Sequence, residues 1–323
     1  MIRAMLLPPF REEHLPHFSD IDGYDFFWSA QPTPEELAGV EVILGQPKLD
    51  LLRAAPRLRW VQHLAAGVDG FTSRADDFPR GVILTSLSGA YGQSISECVL
   101  TMVLSLYKKL PLYRDNQSAS RWHDEGRQES PVGKRLLILG AGNIGCAVAK
   151  LFRSFGCHIT GVRRVPRALP PEFDAMITLD ELDAALPEAD IVVCALPNTP
   201  ATNGLFNRER LALLGKNAVL VNVGRGNLID CAALADRLSA GLLLGAALDV
   251  TDPEPLPAGH PLWNCKNALI TPHITGGCFG HLQATEDFMF NLCRDNLIRF
   301  REGRPLLNLV DFETGYRATE GRA

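Results

Sequence analysis

Short, wholly apolar runs alternate along the chain with longer stretches in which apolar residues return every three or four positions. The first pattern suits strands buried on both faces, and the second suits helices packed against them. Together they predict an α/β protein built on mostly parallel sheets. In the first third, strands are expected at 2–7, 40–44, 60–64 and 82–85. A helix is expected over about 94–110, heavily buried because its apolar residues cover more than one face. The polar stretch 113–134 reads as a loop with room for one short helix. A more regular region follows, with strands at 135–139, 158–162, 190–196, 218–223, 245–250 and 268–271 and helices between most of them. That rhythm fits a doubly wound sheet. A last helix is expected over about 281–301, and the chain then ends in a frayed tail.

The turn after the strand 135–139 carries the first chemical signal. It reads Gly140-Ala141-Gly142-Asn143-Ile144-Gly145, runs straight into a helical pattern, and is followed by the next strand. In such a unit Gly140 allows the tight turn, Gly142 lets backbone approach a pyrophosphate, and Gly145 lets the helix pack on the strand. The helix start offers N–H groups and a positive dipole end to phosphates. A dinucleotide is therefore expected here; the bland alternative is a tight structural turn, and a methyl-donor nucleoside is the competing ligand. An enzyme selective for NAD usually places a carboxylate at the end of the second strand to hold the ribose 2′-OH. Here that strand ends in Arg163 and Arg164, with Arg167 nearby. Arginines would pair with a 2′-phosphate that a carboxylate would repel. The expectation is NADP(H) as preferred coenzyme, with NAD(H) possible; otherwise these arginines form a solvated basic loop.

Composition narrows the class. The 323 residues are 46% hydrophobic and 21% charged, an ordinary globular mix long enough for about two domains. A net charge of −5 argues against a nucleic-acid surface. No apolar run approaches the roughly 18 residues of a membrane span, and the opening, broken by Pro8-Pro9 and Arg11-Glu12-Glu13, is a poor signal peptide. The eight cysteines form no C-x-x-C pair, which suits reduced thiols in the cytoplasm and no metal site.

Three further polar residues follow strands: Arg225 after VLVNVG, Glu254 in DVTDPEPL, and His273 in LITPHITGG. Residues distant in sequence converge at the carboxyl ends of a doubly wound sheet. Singly, each has a plain reading: a surface arginine, a turn carboxylate, a capping histidine. Together with LAAGVDGF, the ISE that opens a helix, GAGNIG, LPNTPAT, VNVGRGNLID, ALDVTDPEPLP, HPLW and TPHITGG, in order over about 60–280, they are distinctive. The sequence resembles the D-isomer-specific 2-hydroxyacid dehydrogenase family, in particular its glyoxylate/hydroxypyruvate reductase branch.

The resemblance implies two doubly wound domains, a Rossmann dinucleotide-binding domain (93–284) inserted in a flavodoxin-like substrate domain (1–92 plus 285–323), with a cleft that closes over substrate. It implies that His273 is the general acid, that Glu254 pairs with its ring, and that Arg225 holds the carboxylate and polarises the carbonyl of a 2-oxo acid. Backbone at Ala66 and Gly67 would hold the carboxylate from the other side. Leu196, Pro197 and Thr202 would lie over the adenosine side of the coenzyme, and Val223 and Gly224 beside the nicotinamide ribose. Asp249 would meet the carboxamide, while Gly276 and Gly277 would permit close approach after His273. The family implies a homodimer, with the helix 94–110 and the following loop as the interface. Trp122 and Trp263 read as packing anchors, although the loop of Trp122 can reach a partner's site in this family. His63 and His260 read as structural. Phe26, Phe27, Trp28 and Tyr91 are candidates for substrate selection. Two other readings are open: an NAD-linked relative of phosphoglycerate dehydrogenase, and a dinucleotide-sensing corepressor that binds partner proteins. The missing acid after Val162 and the lack of a C-terminal regulatory domain speak against the first, and the compact chain without a long disordered tail against the second.

Overall fold

The computed structural model describes residues 1–164, 168–277, 279–313 and 315–317. Arg167, Cys278 and the end of the expected tail lie outside the described residues. The chain divides into two compact units, Met1–Tyr91 with Gly277–Ala323, and Gly92–Gly276. The second is thus an insertion in the first. The return to the first unit falls at Gly277, ahead of the 285 expected from the sequence.

The first unit holds a five-stranded parallel sheet of β1 (Ile2–Leu6), β2 (Tyr24–Trp28), β3 (Val42–Gly45), β4 (Trp60–His63) and β5 (Ile83–Thr85), in the order β2-β1-β3-β4-β5. This is the flavodoxin-like order. One face packs on a core that includes Met5, Leu7, Ile43, Leu52, Val61 and Phe71. β2 is the strand that the hydrophobic pattern missed, because Asp25 interrupts a short edge strand whose residues are only partly buried. Its residues Phe26, Phe27 and Trp28 are therefore packing groups on a sheet edge. Phe26 stacks on Tyr24 at 5.1 Å, the Arg3 guanidinium lies over Phe27, and Trp28 Nε1 donates to the Phe10 carbonyl at 2.8 Å.

The second unit holds a seven-stranded parallel sheet of β6 (Arg135–Leu139), β7 (His158–Val162), β8 (Ala175–Ile177), β9 (Ile191–Cys194), β10 (Val219–Asn222), β11 (Gly245–Leu248) and β12 (Ala268–Ile270). Its order, β12-β11-β10-β9-β6-β7-β8, reverses between β6 and β9 and makes the sheet doubly wound in the Rossmann manner. β8 went unread because three half-buried residues show no period. The inner strands β9, β10 and β11 are buried at every position, as continuous apolar runs require. The helix expected at 94–110 is α1 (Gly92–Tyr107), and the short helix for which the next stretch had room is α2 (Leu110–Ser118). The break is at Lys109, which is left-handed (φ 57°), and Pro111 sits in the first turn of α2, where its missing N–H costs nothing. α1 packs along α3 (Asn143–Arg153), the helix that follows the glycine-rich turn, and against β10 and β11. In the first unit the closing helix is α4 (Gln283–Arg301).

Five of the described cysteines are buried, Cys98 and Cys146 are partly so, and all seven are unpaired. Burial pushes the Cys98 and Cys146 thiols up, away from the thiolate form a nucleophile needs. Among the described residues, no helix is long and apolar enough to cross a membrane.

Candidate active site

The glycines of the β6–α3 turn do three different things. Gly140 is left-handed (φ +101°), and a Cβ there would lie 2.6 Å from the Ala195 carbonyl oxygen at the end of β9. A Cβ on Gly145 would lie 2.0 Å from the Gly140 carbonyl oxygen, so helix and turn touch through bare backbone. Gly142 has nothing within 4 Å of that position. It is the N-cap of α3 and has no side-chain cap bond. Two glycines therefore close the turn and the third opens it at the positive end of an eleven-residue helix. Asn143 is exposed and Ile144 half-buried in the first turn of that helix. These features fit a dinucleotide pyrophosphate.

The two arginines after β7 differ. Arg163 Nη2 donates to the Ala141 carbonyl at 2.6 Å and Nη1 to Ala168 at 3.3 Å, so its guanidinium lies against the glycine-rich turn. Arg164 is exposed. Across the strand ends, Leu196 and Pro197 are half-buried. Thr202 is buried, and its hydroxyl, within 2.6 Å of the Pro197 carbonyl and 2.9 Å of the Thr199 N–H, holds the loop 197–202 in shape.

The ends of β10, β11 and β12 are level: Asn222 is in register with Leu248, and Leu248 with Ile270. Arg225, Asp249 and His273 thus leave one carboxyl edge within three residues of neighbouring strands. Asn222, fully buried, brackets the turn to Arg225: its side chain accepts from Gly224 N at 3.1 Å and donates to the Arg225 carbonyl at 2.9 Å. A Cβ on Gly224 would meet the Leu196 carbonyl at 2.5 Å, and one on Gly226 the Thr251 carbonyl at 1.9 Å. Those contacts tie the turn to the ends of β9 and β11. Val223 is buried between them, its N–H on the Cys194 carbonyl. Arg225 itself is half-buried, with Nη1 on the Gly224 carbonyl at 2.9 Å.

His273 Nδ1 and Glu254 Oε1 are 2.7 Å apart, both side chains nearly half exposed. A carboxylate on Nδ1 fixes the ring and leaves Nε2 as the nitrogen for exchange with a ligand. Asp249, only 2% exposed, lies behind the pair and bonds the backbone and threonines of the His273 loop. Gly276 closes this unit. Gly277 opens the last part of the other, where a Cβ would strike the His281 ring at 2.5 Å.

In the first unit, Ala66 and Gly67 are half-buried in the loop after β4. The start of this loop is pinned at Leu64, whose carbonyl accepts from Tyr91 Oη and Gln46 Nε2, each at 3.0 Å. Tyr91 is therefore a support of the loop. His63, beneath it, packs edge-on against Phe71, and burial pushes its ring down to about 4, so it is neutral at neutral pH. His260 caps a short helix through Nδ1. Trp263 is half exposed with its indole N–H on the Pro257 carbonyl, and Trp122 is fully exposed.

Asn222, Thr271 and Thr275 are the residues of this edge that motif reading passed over. Their signal was a polar residue ending an apolar strand and two threonines flanking the Pro-His pair, each needing a partner once buried.

Residues 100–275 match the family model of the D-isomer specific 2-hydroxyacid dehydrogenase, NAD binding domain. The chain belongs to that family. The dehydrogenase is 30% identical to a glyoxylate reductase of Aeropyrum pernix, over 93% of this chain and 92% of that protein. Two solved structures are similar over nearly their whole length. The D-isomer specific 2-hydroxyacid dehydrogenase of Xanthobacter autotrophicus, in complex with NADPH and MES, has a TM-score of 0.81 at 31% identity, covering 97% of this chain and 99% of that one. The NADPH-dependent glyoxylate/hydroxypyruvate reductase of Sinorhizobium meliloti, in complex with NADP and sulfate, has a TM-score of 0.82 at 27% identity, covering 98% and 100%. This dehydrogenase is accordingly an oxidoreductase that uses a nicotinamide dinucleotide.

Proposed function

We propose that this dehydrogenase is an NADPH-preferring reductase of small 2-oxo acids, glyoxylate and hydroxypyruvate first, yielding D-2-hydroxy acids. The observation that carries the reading is the 2.7 Å His273–Glu254 pair on the same strand-end edge as Arg225. Reduction of a 2-oxo acid needs its carboxylate held, its carbonyl polarised and its oxygen protonated. His273 supplies the proton from Nε2, with Glu254 holding the ring through Nδ1. Arg225 binds the carboxylate and the carbonyl oxygen and stabilises the charge that develops there. Backbone at Ala66 and Gly67 takes the other carboxylate oxygen. The nicotinamide supplies the hydride when bound. Gly142, Asn143 and Ile144 would hold its pyrophosphate, with Gly140 and Gly145 shaping the turn, and Val223, Gly224, Leu196 and Pro197 would hold its ribose and adenosine. Gly276 and Gly277 leave room after His273.

Coenzyme choice rests on Arg163 and Arg164. With no acid at the end of β7, Arg164 is exposed for a 2′-phosphate, and Arg163 lies flat against the turn beside it. The NADPH and NADP complexes of the two similar structures support this choice. The test is turnover of a 2-oxo-acid panel with NADPH and with NADH. Higher kcat/KM with NADPH is expected, and Arg164→Ala should lower it about tenfold for NADPH with little change for NADH. Turnover with NADH alone would sink the coenzyme assignment.

The exposed Trp122, Leu110 and Val132 lie on and after α2 and support a homodimer formed through this region. Sedimentation at micromolar concentration tests it, and a monomer would refute it.

A further inference from the structure

His273 sits in a backbone conformation that its side chain disfavours. Its φ is +54°, the left-handed region, which a residue with a Cβ rarely adopts. Such a conformer persists where the surroundings over-determine it, and here they do. Asp249 Oδ1 accepts from Thr271 Oγ1 at 2.6 Å and from Ile274 N at 2.9 Å. Asp249 Oδ2 accepts from Thr275 N at 3.1 Å and Thr275 Oγ1 at 2.5 Å. The Asp249 backbone carbonyl takes the His273 N–H at 2.9 Å. A carboxylate has about four acceptor positions, and four donors of this one loop fill them. On the far side, Ser94 Oγ in α1 donates to the Thr275 carbonyl at 2.7 Å. Thr275 is 2% exposed and is held by both the buried carboxylate and the helix.

We propose that Thr275 is a positioning residue for His273: through Asp249 and Ser94 it locks the 271–275 loop in the turn that presents the imidazole. This rests on the reading of His273 as proton donor. Thr275 is not among the residues assigned to substrate or coenzyme, so its loss should misplace the ring and leave binding alone. A displacement of this kind acts on the chemical step far more than on the ground state.

The experiment compares Thr275→Val, Thr275→Ser and His273→Ala with the parent enzyme in NADPH-dependent reduction of glyoxylate or hydroxypyruvate, with NADPH affinity read from fluorescence. Thr275→Val should lower kcat about tenfold to a hundredfold and leave the NADPH dissociation constant and the substrate KM within about twofold. Thr275→Ser, which keeps the donor, should restore kcat to within about threefold of the parent. Unchanged kcat in Thr275→Val, or no rescue by serine, overturns the proposal. A weakened NADPH affinity with unchanged kcat overturns it too, in favour of Asp249 as coenzyme ligand. If His273→Ala keeps its turnover, the reading of the proton donor fails; if that variant is inactive while Thr275→Val is normal, only the positioning role fails. Should Thr275→Val not fold, Ser94→Ala removes the helix contact alone and should lower kcat about threefold to fivefold, again with unchanged NADPH affinity; full activity there counts against the lock.

Discussion

The two parallel sheets end differently. At the carboxyl edge of the seven-stranded sheet, the loops carry ionic side chains, Arg225, Glu254 and His273, and buried polar residues such as Asn222 and Asp249 brace them from behind. At the carboxyl edge of the five-stranded sheet, the buried polar groups are neutral. Gln62, Thr85 and Tyr91 bond one another or the backbone, and what they hold in place is a main-chain loop. The lesson is a division of labour. On the proposed reading, one edge would supply acid and charge, and the other shape. Both follow from burial, because a polar group inside a parallel sheet must find a partner and therefore fixes whatever the partner belongs to.

Substitutions can break this contrast. The largest effect is expected at the ionic edge. His273→Ala should lower turnover about 10²- to 10⁴-fold with coenzyme affinity nearly intact, as loss of a general acid does; steady-state kinetics beside fluorescence titration measures both. Next is the glycine-rich turn. Gly145→Ala would set a Cβ 2.0 Å from a backbone oxygen, and should weaken NADPH binding at least tenfold as the turn shifts. At the neutral edge effects should be smaller. Tyr91→Phe removes the phenol from the Leu64 carbonyl and should raise the substrate KM several-fold with kcat little changed, about 1 kcal/mol of support. A kcat collapse there would mean that the edge does chemistry after all.

The smallest effect on activity is expected at His63, and its signature is acid lability. Its ring is held near 4 when folded, against 6.5 when unfolded, because burial disfavours the cation. The neutral ring is the one the fold accepts, so this contribution to stability is intact above pH 6.5 and is lost as pH falls towards 4. The loss is up to about 3 kcal/mol. His63→Gln should flatten the fall in urea midpoint over that window; His14, also held down by burial, keeps part of the slope. An unchanged slope would show that His63 is not the acid-sensitive group.

Much of this architecture was legible in the residues. Strands buried on both faces announce themselves as unbroken apolar runs, and β6, β7 and their glycine-rich turn could be read residue by residue. The edge strands β2 and β8 could not, because partial burial leaves no clean period. Lys109 gave no warning of the left-handed break between α1 and α2. At the site, charged residues in distinctive motifs stood out, whereas Asn222, Thr271 and Thr275 acquire meaning only from what they touch. Trp122 shows the limit from the other side: an aromatic residue invites a packing role, and only the fold reveals that it is fully exposed.

That bare indole makes the chain its own reporter. Of its four tryptophans, Trp60 is sealed in the core against Thr85 while Trp122 is wholly in water. Emission should therefore carry a short-wavelength component from the interior and a long-wavelength one from Trp122. Unfolding would move the first to the red, and any surface that settles over Trp122 would move the second to the blue, so the two events can be followed in one unlabelled sample.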